Sequence, residues 1–103
     1  MPNFVLTYHG EMGGMPEDPE ETAAVMAAWE QWYGTIGADL VDGGAPFGDT
    51  SAVGPDGAID APASITGYTV VKASDMAAAQ EIAKGCPVLE AGHVVQISQA
   101  IDM

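Results

Sequence analysis

Thr66–Pro87, TGYTVVKASDMAAAQEIAKGCP, decides the fold of this chain, because it reads as a strand that hands over to a short helix and stops at Gly85-Cys86-Pro87. From Thr66 to Val71 every residue except Gly67 is β-branched or aromatic, the composition of a packed strand. Gly67 leaves room for a neighbouring backbone to come close. Ser74 is the expected N-cap, since its hydroxyl can accept from the free N–H groups of the first turn. Asp75 suits the positive end of the helix and Lys84 the negative end. Gly85 stands where a helix usually ends, and Pro87 prevents continuation.

Working outward, Asn3–His9 is a first strand with Phe4, Leu6 and Tyr8 on one face and Val5, Thr7 and His9 on the other. The loop from Gly10 to Glu17 carries Met12 and Met15, which either cover a pocket or pack on the surface. Asp18-Pro19-Glu20-Glu21 is a helix start, with Asp18 as N-cap, Pro19 at the first helical position and Glu21 placed for a capping box. The helix should reach Ile36 or Gly37. Its apolar stripe is Val25, Met26, Trp29, Trp32, Tyr33 and Ile36, recurring at three- and four-residue steps. Leu40–Phe47 begins a second strand, interrupted by Gly43, Gly44 and Pro46 and therefore suited to a sheet edge or a bulge. Gly54-Pro55-Asp56-Gly57 is a turn, and Ala58–Ala63 is expected to be irregular. His93–Ile101 is the last strand, with Val95, Ile97 and Ile101 alternating against Val94, Gln96, Ser98 and Ala100.

The order β-α-β-β-α-β is the split βαβ pattern, so the expected fold is an α+β, ferredoxin-like domain over residues 1–103 with a four-stranded antiparallel sheet in the order 4-1-3-2. Two helices would cover one face of that sheet. The strands carry apolar residues on both faces, so a second copy of the chain is the expected cover for the other face, giving a homodimer.

Two basic residues against fifteen acidic ones give a formal charge of −13, which repels phosphate backbones and argues against nucleic acid. An anionic ligand is opposed by this field but keeps a local option at the helix starts near Asp18 and Ser74. No apolar run approaches the roughly 20 residues needed to cross a bilayer, so no membrane association is expected. Nothing near Met1 reads as a signal peptide, and a cytoplasmic location is expected. Cys86 is the single cysteine and cannot form an internal disulfide.

The segments FVLTYHG, VMAAWEQWYGTIG with DLVDGGAP, TGYTVVKA, AKGCPVL and HVVQISQAI together resemble the YCII-related domain family, including its DGPF-type branch. The resemblance covers nearly the whole chain, and the strand-helix-Cys-Pro run is its most specific part. It implies a ferredoxin-like monomer whose sheets pair into a dimeric α/β barrel, with a cleft that in related proteins hosts small-molecule isomerisation, dehydrohalogenation or cofactor-free oxygenation. In the enzyme-like branch a His on the first helix pairs with an Asp just before the Pro that follows the second helix. Here Ala28-Trp29 and Cys86 stand in those places, and the DGPF motif reads Asp56-Gly57-Ala58-Ile59.

His9 ends the first strand and is the candidate proton carrier, the alternative being a hydrogen-bonded or exposed histidine without a role. His93 begins a neighbouring antiparallel strand, which brings the two histidines near one another. A metal site would need a third ligand such as Glu11 or Glu90, and no HxH or HExxH spacing is present, so neither metal nor cofactor is expected. Trp29, Trp32 and Tyr33 read first as core, with one Trp at a pocket edge. Tyr8, Trp29, Gln96 and His93 are the candidate ligand-binding residues, with Gln96 and Ser98 pointing into the barrel if Val95 and Ile97 face the helices. Cys86 follows a helix C-terminus, which disfavours a thiolate, and Gly13-Gly14 and Gly43-Gly44 are too short for phosphate loops. Two functions from different classes fit: a cofactor-independent lyase- or isomerase-like enzyme acting on a small ring compound, and a non-catalytic small-ligand-binding or accessory dimer module.

Overall fold

In the computed structural model, which describes residues 1–10, 18–48, 50–60, 65–90 and 92–101, the first strand β1 spans Asn3–His9 and lies at the centre of a sheet. The expectations for Glu11, Met12, Met15, Gly13-Gly14 and the end of the Ala58–Ala63 stretch lie outside the described residues. Helix α1 follows over Pro19–Ile36, started by the Asp18 carboxylate, which accepts from the Glu20 N–H at 2.9 Å. It ends at Gly37, whose N–H donates to the Tyr33 carbonyl. Strand β2 is Leu40–Asp42, β3 is Ala52–Gly54, β4 is Gly57–Ile59 and β5 is Ile65–Lys72. Helix α2 covers Met76–Ala83 and β6 covers Val94–Gln99.

The four-stranded antiparallel sheet has the order β2-β5-β1-β6, which is the expected ferredoxin-like arrangement. β2 is an edge strand with a register shift between Leu40 and Asp42, after which Pro46 forms an isolated bridge to Gly67. Gly67 is needed there, because a Cβ at that position would sit 3.0 Å from the Ala45 carbonyl oxygen. The close approach inferred from the sequence is real.

Three expectations are corrected. α2 is capped by Asp75, not Ser74: the Asp75 carboxylate accepts from Ala78 N–H at 2.9 Å, and a serine one residue earlier sits a step too far from the first turn. Gly57–Ile59 is a strand rather than irregular chain, pairing with Ala52–Gly54 across the Gly54–Gly57 turn. Met26 is not part of the buried stripe of α1, being mostly exposed, whereas Trp32 is buried.

Both helices pack on one face of the sheet. Phe4, Leu6 and Tyr8 of β1 and Val71 of β5 are buried there with Trp32 of α1 and Ala79 and Ala83 of α2. Trp29, Tyr33 and Ile36 join from α1, and Val95 and Ile97 from β6. The alanines let α2 lie close to the sheet, so the aromatic volume comes from α1 and β1. The opposite face carries Val5, Thr7 and His9 of β1, Tyr68 and Val70 of β5, and Val94, Gln96 and Ser98 of β6. No helix among the described residues is long and apolar enough to cross a membrane.

Candidate functional site

The two faces of β1 present different chemistry. On the helix side Tyr8 is 4% exposed, and its hydroxyl bonds to that of Thr69. Thr69 in turn donates to the Gly43 carbonyl at 3.1 Å, and Tyr33 donates to the same carbonyl at 3.0 Å. A carbonyl can only accept, so the Thr69 proton is committed to Gly43 and its oxygen receives the Tyr8 proton. Burial pushes the Tyr8 phenol far up from its ordinary value, with the Thr69 bond opposing and nearby Cys86 adding to the rise. Burial also raises the Cys86 thiol, opposed by the Val88 backbone and by the neighbouring Tyr8 hydroxyl. Both groups are neutral at physiological pH, and Cys86 is a buried, unreactive thiol whose state is set by burial more than by the preceding helix end.

Trp29 closes this cluster from above, edge-on to Tyr8 with ring centroids 5.4 Å apart and edge-on to Trp32 at 5.6 Å. Trp32 anchors α1 to α2 through a bond from its indole N–H to the Ile82 carbonyl at 3.0 Å.

On the open face the Thr7 hydroxyl lies 3.0 Å from His9 Nε2, the two residues standing on the same side of β1. Thr7 also donates to the Gln96 carbonyl across the strand gap at 3.4 Å. A hydroxyl has one proton, so with that proton on Gln96 the Thr7 oxygen accepts from His9 Nε2–H. The neutral imidazole then keeps its proton on Nε2, and Nδ1 carries the free lone pair. Thr7 is directly opposite Tyr68 on β5 and Gln96 on β6, which makes a row across the sheet. The Tyr68 hydroxyl donates to Asp42 Oδ2 at 3.3 Å, and the Phe47 ring leans on the Tyr68 ring at 5.7 Å.

The residues singled out from the sequence thus fall into separate places. His9 and Gln96 share the open face, whereas Tyr8 and Trp29 touch one another on the helix side. His93 is half-buried just before β6, with its ring against Gly10; a Cβ on Gly10 would come within 2.6 Å of it. Tyr68 and Phe47 were not singled out. Tyr68 could have been found, since it alternates with Thr69 and Val71 and so faces away from the helices. Phe47 depends on a loop path that no periodicity encodes.

Two surface grooves lie on the helix side. One runs between α2 and β6 past Ala83, Lys84, Leu89, Val95 and Ile97, and the other past Trp32, Thr35, Gly85 and Pro87. Neither is lined by His9. No group of three or more potential metal ligands occurs among the described residues.

Among solved structures, the chain is similar to 5-chloro-2-hydroxyhydroquinone dehydrochlorinase from Burkholderia phenoliruptrix AC1100, determined in complex with 2,5-dihydroxybenzoquinone. The TM-score is 0.63 at 12% identity, over 98% of this chain and 95% of that one. This likeness establishes a shared fold. No curated protein sequence matches the chain. The YCII-related domain profile matches residues 4–100, from the first buried residue of β1 to just past β6, so the chain belongs to the YCII-related domain family.

Proposed function

We propose that this chain is a small cofactor-independent enzyme of lyase or isomerase type, taking a compact hydroxylated ring compound on the open sheet face with His9 as proton carrier. The observation that carries this reading is the hydrogen bond between Thr7 and His9, which fixes the imidazole on a half-buried face and frees Nδ1 as a base. Gln96 and Tyr68 flank that position and orient the ring, with Phe47 lengthening the aromatic wall. Tyr8 and Trp29 act from beneath, holding β1 rigid through the buried hydroxyl cluster. His93 packs where the chain leaves β1. The dehydrochlorinase of the same fold, whose structure holds a dihydroxylated quinone, makes a compact ring a reasonable ligand class to test.

A second copy of the chain covers the open face in this reading. Val5 and Val70 contribute apolar area to it and Val94 is 61% exposed, which suits burial against an identical sheet. Light scattering coupled to size exclusion should give a dimer at micromolar concentration. A clean monomer would leave the site open to water and remove the barrel from the proposal.

The non-catalytic module is the second reading, favoured by Ala28-Trp29 and Cys86 standing where the enzyme-like branch carries its His and Asp. Thermal shifts with catechol, hydroquinone and small lactones separate the two. The expected result is stabilisation of the wild type that disappears in His9→Ala, with the unliganded stability of the variant within about 0.5 kcal/mol of wild type because His9 is only half-buried. Stabilisation unchanged by His9→Ala would leave the module reading in possession.

A further inference from the structure

We propose that the molecule taken at the His9 face is electrically neutral on arrival, and that compounds bearing a fixed carboxylate, phosphate or sulfonate are rejected; this rests on the open face being the ligand site. The inference comes from where the chain's lysines and helix N-termini lie. Only two residues in the whole sequence are Lys or Arg. Lys84 lies on the helix side, at the end of α2, with its ammonium 2.7 Å from the Glu81 carboxylate. Lys72 stands on the open face but pairs with Asn3 at the far end of β1 from His9, about 20 Å away at roughly 3.3 Å per residue. That is about two and a half Debye lengths at physiological salt.

The N-termini of α1 and α2 are further candidates, and both are already occupied. The Asp18 carboxylate accepts from α1, whose first turn also holds Glu20 and Glu21, and the Asp75 carboxylate accepts from α2. The local option that the sequence left open for an anion is closed by the chain's own side chains. The fixed charge nearest the Tyr68–Thr7–Gln96 row is negative, since Asp42 accepts from the Tyr68 hydroxyl. An anion entering beside His9 would be desolvated with no lysine of the same protomer near it, within the field of a chain of formal charge −13.

A neutral acid faces no such barrier. When its O–H or activated C–H gives the proton to His9 Nδ1, the bond to hydrogen breaks at the ligand and forms at nitrogen, and the electron pair stays on the ligand. The imidazolium and the new anion then arise together as a pair with no net charge. The proton taken by His9 thus places a positive charge beside the new anion, where no lysine of the same protomer reaches.

The test uses the full-length protein, labelled with nitrogen-15, and three probes: catechol, protocatechuate, and the primary amide of protocatechuate, which has nearly the size and shape of the carboxylate. Amide shifts of Thr7, His9 and Gln96 report binding at the site. The expected result is that catechol and the amide move these resonances while protocatechuate binds at least about tenfold more weakly, the gap narrowing as salt screens the field. Protocatechuate binding within about twofold of its amide at the same three residues would overturn the charge inference and leave the His9 site standing. Absence of shifts at Thr7, His9 and Gln96 with all three probes would overturn the His9 site itself.

Discussion

Trp32→Ala should cost about 3–5 kcal/mol of stability, the range for truncating a buried aromatic side chain. Domains of this size are stable by only about 5–15 kcal/mol, so the variant should lose a large fraction of its stability. The indole fills the space between α1, α2 and the Gly85 turn, where a Cβ on Gly85 would already lie 3.0 Å from the ring. Its N–H donates to the Ile82 carbonyl, which also receives the Gly85 N–H at 3.2 Å and so is not orphaned when the ring is lost. Packing therefore outweighs the hydrogen bond, and Trp32→Phe should recover most of the loss, leaving a deficit of about 1 kcal/mol. Urea unfolding of both variants measures this, with an unchanged slope required for the comparison. A cost for Trp32→Ala below about 1 kcal/mol would mean that α1 is not seated on the sheet through this ring.

Gly44→Ala is the other change with a large expected effect, and it acts through the backbone. Gly44 has φ +76°, and a Cβ there would lie 1.7 Å from the Tyr68 carbonyl oxygen, a main-chain atom of β5 that has no freedom to move aside. The loop after β2 must shift. It then pulls the Gly43 carbonyl away from the Tyr33 and Thr69 hydroxyls, and the Gly44 N–H away from the Asp42 carboxylate, which it meets at 2.8 Å. Strain of about 1–3 kcal/mol and the loss of the two part-buried hydrogen bonds to Gly43 at about 1 kcal/mol each set the scale. Gly48→Ala is the control: a Cβ there meets nothing within 4 Å, so it should change stability by no more than about 0.5 kcal/mol. Equal melting curves for the two variants would refute the tight approach of the β2 loop to β5.

The bounds of β1 and α1 could be read directly, because an uninterrupted alternation and an Asp-Pro-Glu-Glu start each leave one sensible solution. The sheet order followed from connectivity rules. The β3–β4 hairpin escaped because Ala and Gly make up most of its two strands and carry little strand preference; its one signal was the Gly54–Gly57 turn, with Val53 and Ile59 on either side. Ser74 and Asp75 are both good caps, and the choice between them depends on where β5 releases the chain, a tertiary matter. At the site, the shared face of Thr7 and His9 is plain from their spacing. The division that puts Tyr8 with Trp29 and His9 with Gln96 follows from the same alternation. Thr69 reads as an ordinary strand former until its burial makes a partner obligatory. That its partner is the Gly43 carbonyl depends on a loop conformation set by positive φ at Gly44.

The grouping of both tryptophans with Tyr8 and Tyr33 on the helix side has a spectroscopic consequence. All the indole emission of this protein originates on the face of the sheet away from His9, within a few ångströms of two tyrosines that can pass excitation to it. Intrinsic fluorescence will therefore follow the seating of α1 with high sensitivity, and near-ultraviolet dichroism will be dominated by coupling within the same cluster. Occupancy of the opposite face would be nearly silent in both, so an unchanged emission spectrum on adding a compound says nothing against binding there.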